Sequence, residues 1–282
     1  MPHRLAVLMA ARDAQATIRS AIDSLSFDRA PFDLYIVDDC SAVPLTEILG
    51  PQPPHVEIIR LDANVGPAAA RNAGLFRILS RNYKYVAIMD ADDLSHRDRL
   101  AKQSAFLDRN PEVAVVGAWT RCFDEKTGKT VFHVTPPTEP RAVLDSLFFN
   151  SSFIHSSCMI RVEALVEVGL YSTHYPTAED YELARRIATR FQLANLPEYL
   201  LDYRISGNGI CIKRRRRQLF DRLRIQIRYF RPREWSAWAG FLKTIVLFVL
   251  PLWVITPLKS AAWRSPARLT RLARAFNGQR TG

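Results

Sequence analysis

The sequence contains no CxxC pair. Its four cysteines, Cys40, Cys122, Cys158 and Cys211, stand far apart. That spacing excludes a thiolate metal site and a disulfide framework, and it suits reduced thiols in a cytosol-facing protein. No G-x-G-x-x-G follows the first apolar stretch, so a dinucleotide-binding Rossmann domain is not expected. His3, His55 and His133 form no ligand pattern. The N-terminus lacks the charged region and long apolar core of a signal peptide, and Leu5–Ala11 instead reads as a first strand. A long hydrophobic span is missing too. The uncharged run Thr244–Leu258 has 15 residues and is broken by Pro251 and Pro257, short of the roughly 20 that a spanning helix needs.

Apolar material is ample. Of 282 residues, 48% are hydrophobic and 24% charged, enough for a sizeable core in one large domain with an appendage, or in two domains. The charge is uneven. Residues 213–282 hold 17 of the 39 Lys/Arg and two of the 28 Asp/Glu, which leaves 22 and 26 in residues 1–212. A mildly acidic globular part, 1–212, therefore precedes a strongly basic segment, 213–282, whose partner should be anionic.

Within 1–212, short apolar runs alternate with helical spacing. Leu5–Ala11, Phe32–Val37, Val56–Leu61 and Tyr85–Met89 read as strands, and the stretch through Ile18, Ile22 and Leu25 and the run Ala68–Leu79 read as helices. Strand–helix–strand at this spacing implies right-handed crossovers and a mostly parallel sheet flanked by helices, an α/β fold. Further along, the pattern gives a helix over Asp98–Leu107, a strand from Val113 and a charged turn at Asp124–Lys129. A polar loop, Asn150–Ser157, leads into a strand at Cys158–Arg161 and a helix at Val162–Val168.

Carboxylates gather where two strands end, at Asp38-Asp39 and at Asp90-Ala91-Asp92-Asp93. Like charges so close raise one another's pKa unless a cation sits among them, and Mg²⁺ or Mn²⁺ suits carboxylate oxygens shared with substrate phosphates. Open α/β sheets bind ligands in the crevice beyond these strand ends. A solvated acidic turn that caps the next helix is the plainer alternative. A phospho-acceptor receiver domain also collects carboxylates there, but it spans about 120 residues and would leave most of the chain unexplained. A second acidic pair, Glu179-Asp180, opens an amphipathic helix, where the helix dipole favours negative charge.

Taken together, these segments resemble the inverting family 2 glycosyltransferases of the GT-A (Rossmann-like) fold, of bacterial cell-envelope type, over residues 4 to 212. Ala10–Asp13 resembles the family's first nucleotide-contacting loop, and Val37-Asp38-Asp39-Cys40-Ser41 its VDDGS segment. Asn64-Val65-Gly66 and Ala70-Arg71-Asn72-Ala73-Gly74 resemble the N-x-G…ARN-x-G stretch, and Asp90-Ala91-Asp92 the DxD motif. His155-Ser156-Ser157 through Arg161 is similar to HSS…R, Glu179-Asp180 to the ED motif, and Leu196-Pro197-Glu198…Tyr203-Arg204 to the closing segment. The resemblance implies donor-nucleotide contacts at Ala11, Arg12, Asp39, Arg71, Asp90 and Ala91, a divalent metal (Mn²⁺ or Mg²⁺) on Asp92, and Asp180 as catalytic base. It points to His155, Ser156, Glu179 and Arg204 as sugar or acceptor contacts. There are departures: Arg12-Asp13 stands for the usual Tyr-Asn, Cys40 for a Gly, and Ser206 where a metal-binding His is often found.

The implied activity is sugar transfer from a nucleotide donor, a UDP-sugar, to a lipid-linked or cell-envelope glycan. A catalytically idle nucleotide-sugar-binding or scaffold relative and a nucleotidyltransferase are the rival readings. In the basic segment, Leu219, Leu223, Ile227 and Phe230 form one apolar helical stripe among arginines, the pattern of a membrane-surface helix. With the apolar run beside it, an anionic membrane surface suits the segment better than nucleic acid. An anchor on the cytoplasmic face of the inner or plasma membrane is expected, with Trp253 and Trp263 near the headgroups.

Overall fold

The computed structural model describes residues 5–25, 28, 30–205 and 215–250. His3, Ser206, Cys211, Lys213, Arg214, Trp253, Trp263 and the second half of the apolar run lie outside the described residues.

The first four strands are β1 (Leu5–Ala11), β2 (Asp33–Asp38), β3 (Val56–Arg60) and β4 (Tyr85–Asp90), paired in parallel in the order β3-β2-β1-β4. Their apolar runs are unbroken because both faces are covered. Successive β1 side chains feed opposite cores. Ala6 and Leu8 pack with α3 (Pro67–Leu79), whereas Leu5, Val7 and Met9 pack with α1 (Ile18–Leu25) and α4 (Arg99–Arg109). Gly74 permits the close approach of α3 to the sheet, since a Cβ there would meet Leu8 Cδ1 at 2.3 Å. Gly66, at φ 83°, turns the chain into α3, and Pro67 supplies its first residue.

Beyond β4 the sheet becomes mixed. After α2 (Leu45–Leu49) in the first half, the later elements are β5 (Leu94–Ser95), β6 (Val113–Asp124), β7 (Thr130–Val134), α5 (Pro140–Ser146), a 3₁₀ turn at His155–Ser157, β8 (Met159–Arg161), α6 (Val162–Val168), α7 (Glu179–Ile187) and β9 (Gln192–Ile205). The order continues β4-β8-β6-β9-β5, with β8 antiparallel to both neighbours and β9 parallel to β6. The expected mostly parallel sheet thus holds for the first half and for β6–β9. The 3₁₀ turn, with no crossover helix, feeds β8 back against β4. β1 lies between β2 and β4, so the chain changes direction at β1, and the carboxyl ends of these three strands open onto one crevice.

Two more helices follow, α8 (Arg215–Arg228) and α9 (Trp235–Val249). The apolar stripe expected on the first does not face one way. Leu219 is buried but Ile227 is 62% exposed, and the inward side also carries Asp221 and Gln226. Polar contacts dock it onto the globular part. Thr177 Oγ1 donates to Asp221 Oδ2 at 2.7 Å, Gln226 Nε2 to the Phe148 carbonyl at 2.8 Å, and Tyr229 Oη to Glu182 Oε1 at 2.7 Å. α8 therefore packs onto the globular part through the side that carries Leu219, Asp221 and Gln226. No helix among the described residues is long and apolar enough to cross a membrane.

Candidate active site

The crevice is built from strand ends upward. At β1, Ala11 is buried and its carbonyl accepts the Asp39 N–H at 2.9 Å, which aligns the ends of β1 and β2. Arg12 stands exposed beside it. Asp38 is fully buried, accepting from Ser41 N at 2.9 Å, Leu45 N at 3.0 Å and Arg60 Nη1 at 2.6 Å. Burial raises its pKa, but the bonds from Ser41, Leu45 and Arg60 outweigh that and hold it below the usual value. Asp39 accepts from Val65 N at 2.8 Å and Gly66 N at 3.0 Å. Its carboxylate thus pins the loop before α3 as well as edging the crevice. Cys40, at φ 55°, keeps the left-handed turn that the family's glycine would make.

At the end of β4 the carboxylates divide by role. Asp93 is fully buried; it accepts from the Ser156 hydroxyl and from Arg204 N at 2.9 Å. Burial, then Asp90 and Asp92, push its carboxyl well above the ordinary range. Arg204 Nε also donates to the Asp92 carbonyl at 2.7 Å. Ser156 and Arg204, expected as sugar or acceptor contacts, are therefore placed as supports of the acidic loop: Ser156 is buried, and Arg204 grips the loop backbone. Asp92 stays open to solvent, yet the surrounding protein, and then Asp90, raise its carboxyl to about 6.

Arg71 joins this loop to the second acidic pair. From α3 it is almost fully buried, with Nη2 3.0 Å from Asp90 Oδ1 and Nη1 3.0 Å from Glu179 Oε1. Burial would lower its pKa, but Asp90, Tyr171 and Glu179 outweigh that and raise it. Its neighbour Asn72 exchanges hydrogen bonds with the Tyr171 backbone at 2.9 and 3.0 Å. Tyr171 Oη lies 2.8 Å from His155 Nε2. Burial, with Arg71 adding to it, drives the His155 pKa well down, so the imidazole is neutral. Asp180 sits in the first turn of α7, where its Oδ1 accepts the Tyr181 N–H at 2.7 Å. Burial raises its carboxyl above the ordinary value. Burial and then Asp180 raise Glu179 likewise.

Two residues were not legible as site components. Arg99, fully buried under β4, donates Nη2 to the Ile88 carbonyl at 2.6 Å and Nε to Gln103 at 3.2 Å. Burial lowers its pKa to about 10, and it places a cation beneath the acidic loop. Tyr171, held between Arg71 and His155, is the other. Arginine in the first turn of a polar helix and a tyrosine after a helix-ending glycine carry no local mark of burial.

No group of three or more His, Cys, Asp or Glu among the described residues is placed to hold a metal. The donor set fits a cation that takes most of its ligands elsewhere. Asp92 offers a hard oxygen beside the negative Asp90, and Mg²⁺ or Mn²⁺ is commonly held by one or two carboxylates plus substrate phosphates and water.

A DxD loop at the carboxyl ends of parallel strands, faced by a helix-borne acidic pair, is the arrangement that the resemblance to GT-A glycosyltransferases implies. The family model "Glycosyl transferase family 2" matches residues 6–169, and the chain belongs to that family. It is 30% identical over 161 residues to an uncharacterized glycosyltransferase of Haemophilus influenzae, a match covering 57% of this chain and 58% of the relative's length. It is 28% identical over 194 residues to the amylovoran biosynthesis glycosyltransferase AmsE of Erwinia amylovora, covering 68% and 69%. Among solved structures, S. aureus TarS 1–349 in complex with UDP-GlcNAc superposes with a TM-score of 0.67 at 17% identity, covering 87% of this chain and 73% of that one. The mannosyltransferase PcManGT of Pyrobaculum calidifontis, in complex with GDP-Man and Mn²⁺, gives 0.62 at 17%, covering 98% and 84%. These structural likenesses establish the fold.

Proposed function

We propose that this glycosyltransferase moves a sugar from a nucleotide donor, a UDP-sugar, to a lipid-linked or cell-envelope glycan in one inverting displacement. The observation that carries this reading is Arg71, whose guanidinium ties Asp90 of the DxD loop to Glu179, the neighbour of Asp180. It draws the donor side and the acceptor side of the reaction to one crevice.

Asp92, with the donor diphosphate, would hold the divalent cation, whose charge stabilises the diphosphate as it leaves. Asp180 takes the proton of the acceptor hydroxyl while that oxygen bonds to the anomeric carbon. The bond from that carbon to the diphosphate oxygen breaks, and its electron pair leaves with the nucleotide. The raised carboxyl of Asp180 makes it a stronger base than an ordinary aspartate, which favours proton uptake from the acceptor. Arg71 keeps Asp90 and Glu179 paired, which limits the repulsion that their charges would exert on donor phosphates. Relatives with bacterial polysaccharide roles, such as AmsE, support the envelope acceptor, and TarS with UDP-GlcNAc supports the uridine donor.

The test is a thermal-shift panel of UDP, GDP, dTDP and CDP with and without Mn²⁺, followed by turnover of the matching sugar. UDP should raise the midpoint in a metal-dependent way. Asp180→Asn should keep that shift and lose about 10²–10⁴-fold in turnover, the usual contribution of a general base. Pyrophosphate in place of UDP as product would mean nucleotidyl transfer. Retained turnover in Asp180→Asn would remove that residue as the base.

A further inference from the structure

Helix α9 has two unlike faces. Its inner side is small and polar: Ser236, Ala237, Gly240 and Thr244 are buried. Gly240 touches the loop after α5 so closely that a Cβ would lie 2.0 Å from the Phe148 carbonyl oxygen, and Thr244 Oγ1 donates to the Gly240 carbonyl at 2.9 Å. This side docks the helix onto α8 and the globular part. The outer side is apolar through all four turns, with Trp235 76%, Trp238 57%, Leu242 62%, Val246 43% and Val249 72% exposed. Exposed apolar residues elsewhere, such as Val43, Phe76 and Val131, lie on separate segments, which is ordinary for a protein surface, whereas a contiguous patch marks a contact.

The surrounding charge says what the contact is. Between residues 215 and 250 the sequence has two acidic residues, Asp221 and Glu234. Both are paired, Asp221 with Thr177 and Glu234 with Arg141 at 2.9 Å. Arg216, Arg217, Arg228, Arg233 and Lys243 are exposed. Arg233 precedes α9, Lys243 stands midway along it, and Arg215 Nη2 reaches the Leu247 carbonyl, 2.6 Å away near its far end. An apolar stripe with cations at both ends complements an anionic lipid surface, where acyl chains lie beneath phosphate headgroups. Trp235 and Trp238, at the first turn, are the side chains that favour the headgroup boundary. Fifteen residues make a helix of about 22 Å, too short for a crossing of about 30 Å and suited to lying in the plane.

We propose that the outer face of α9 seats in an anionic bilayer, and that α8 braces it against the catalytic domain. Within the membrane contact expected of residues 213–282, this assigns one face of α9 as the seat and α8 as its brace.

The test uses the full chain and co-sedimentation with vesicles of phosphatidylglycerol and phosphatidylcholine, or of phosphatidylcholine alone. Wild type should bind the anionic vesicles and lose that binding as salt rises. Trp238→Ser with Leu242→Ser and Val249→Ser should cut partitioning about tenfold or more, since buried apolar area sets the affinity of an in-plane helix. The UDP-induced thermal shift should persist in that variant, so a failure here is separable from a failure of the transferase reading. Brominated lipid should quench tryptophan fluorescence, and Trp235→Phe with Trp238→Phe, a mild pair, should remove a measurable share of the quenching. Unchanged partitioning in the triple variant, or unchanged quenching in the Phe pair, overturns the proposal. So does a wild-type dimer that ignores vesicles and becomes monomeric in the triple variant, which would make a second copy the occupant.

Discussion

Two strands of this sheet, β2 and β4, end in adjacent aspartates, and the two ends behave in opposite ways. At β2, Asp38 is enclosed by two backbone N–H groups and Arg60, which hold its carboxyl low although it is buried. At β4, Asp92 keeps an exposed edge, but the surrounding protein and then Asp90 raise its carboxyl to about 6. Residue type is the same at both ends, although Asp38 closes β2 and Asp92 stands two residues past β4. The supply of donors separates a structural carboxylate from one that needs a cation.

The strongest way to break this comparison is Asp92→Asn. If the β4 end serves the leaving diphosphate, turnover should fall about 10³-fold, roughly 4 kcal/mol, and the metal-dependent thermal shift with UDP should vanish. The midpoint without ligand should hold or rise, because a repelling charge has gone. Asp38→Ala should do the reverse, costing about 3 kcal/mol of stability because two N–H groups and Arg60 lose their acceptor in a buried place. Urea denaturation measures it, and a loss under about 1 kcal/mol would mean that the β2 end is not the closed one.

Acid separates the two ends by sign. Asp92 has a raised folded-state pKa, so the folded chain binds its proton more readily than the unfolded chain. Its contribution opposes folding above about 6 and fades as pH falls toward the ordinary 3.8. Asp38 has a lowered pKa, so its contribution is present above 3.8 and is lost as pH falls further. Because protons compete with the metal at Asp92, the Mn²⁺-dependent shift should be about half gone near pH 6. A flat response from pH 7 to pH 5 would argue against Asp92 as ligand. The smallest expected effect is at Cys40, whose φ of 55° strains a residue with a β-carbon. Cys40→Gly should raise stability by about 1 kcal/mol, or by less where the freer unfolded chain offsets it.

Much of this was legible in the residues. Unbroken apolar runs gave β1, β2 and β4, because a parallel strand covered on both faces needs no alternation. The Asp90–Asp93 and Glu179-Asp180 clusters announced themselves by charge. What charge alone could not convey was partnership. Asp93 and Ser156 look like site residues in one dimension, and they meet as an internal support in three. Arg71 looks like a donor-nucleotide contact, and it is already held by two carboxylates. The helix after the basic run misled for the same reason. Counting its apolar residues gave a stripe through Ile227, but packing chose Asp221 and Gln226, polar residues whose partners come from elements far away in the chain.

The docking of α8 bears on how this protein can be handled at the bench. Composition changes sharply at residue 213, which makes it an inviting place to cut for a soluble, crystallisable fragment. Packing does not follow that boundary. A chain ending there would lose the acceptor for Thr177 and the Tyr229 groups that meet Arg185 and Glu182, on both flanks of the helix that carries Asp180. A soluble version is better made by repainting the outer face of α9 with polar side chains and leaving the length of the chain alone.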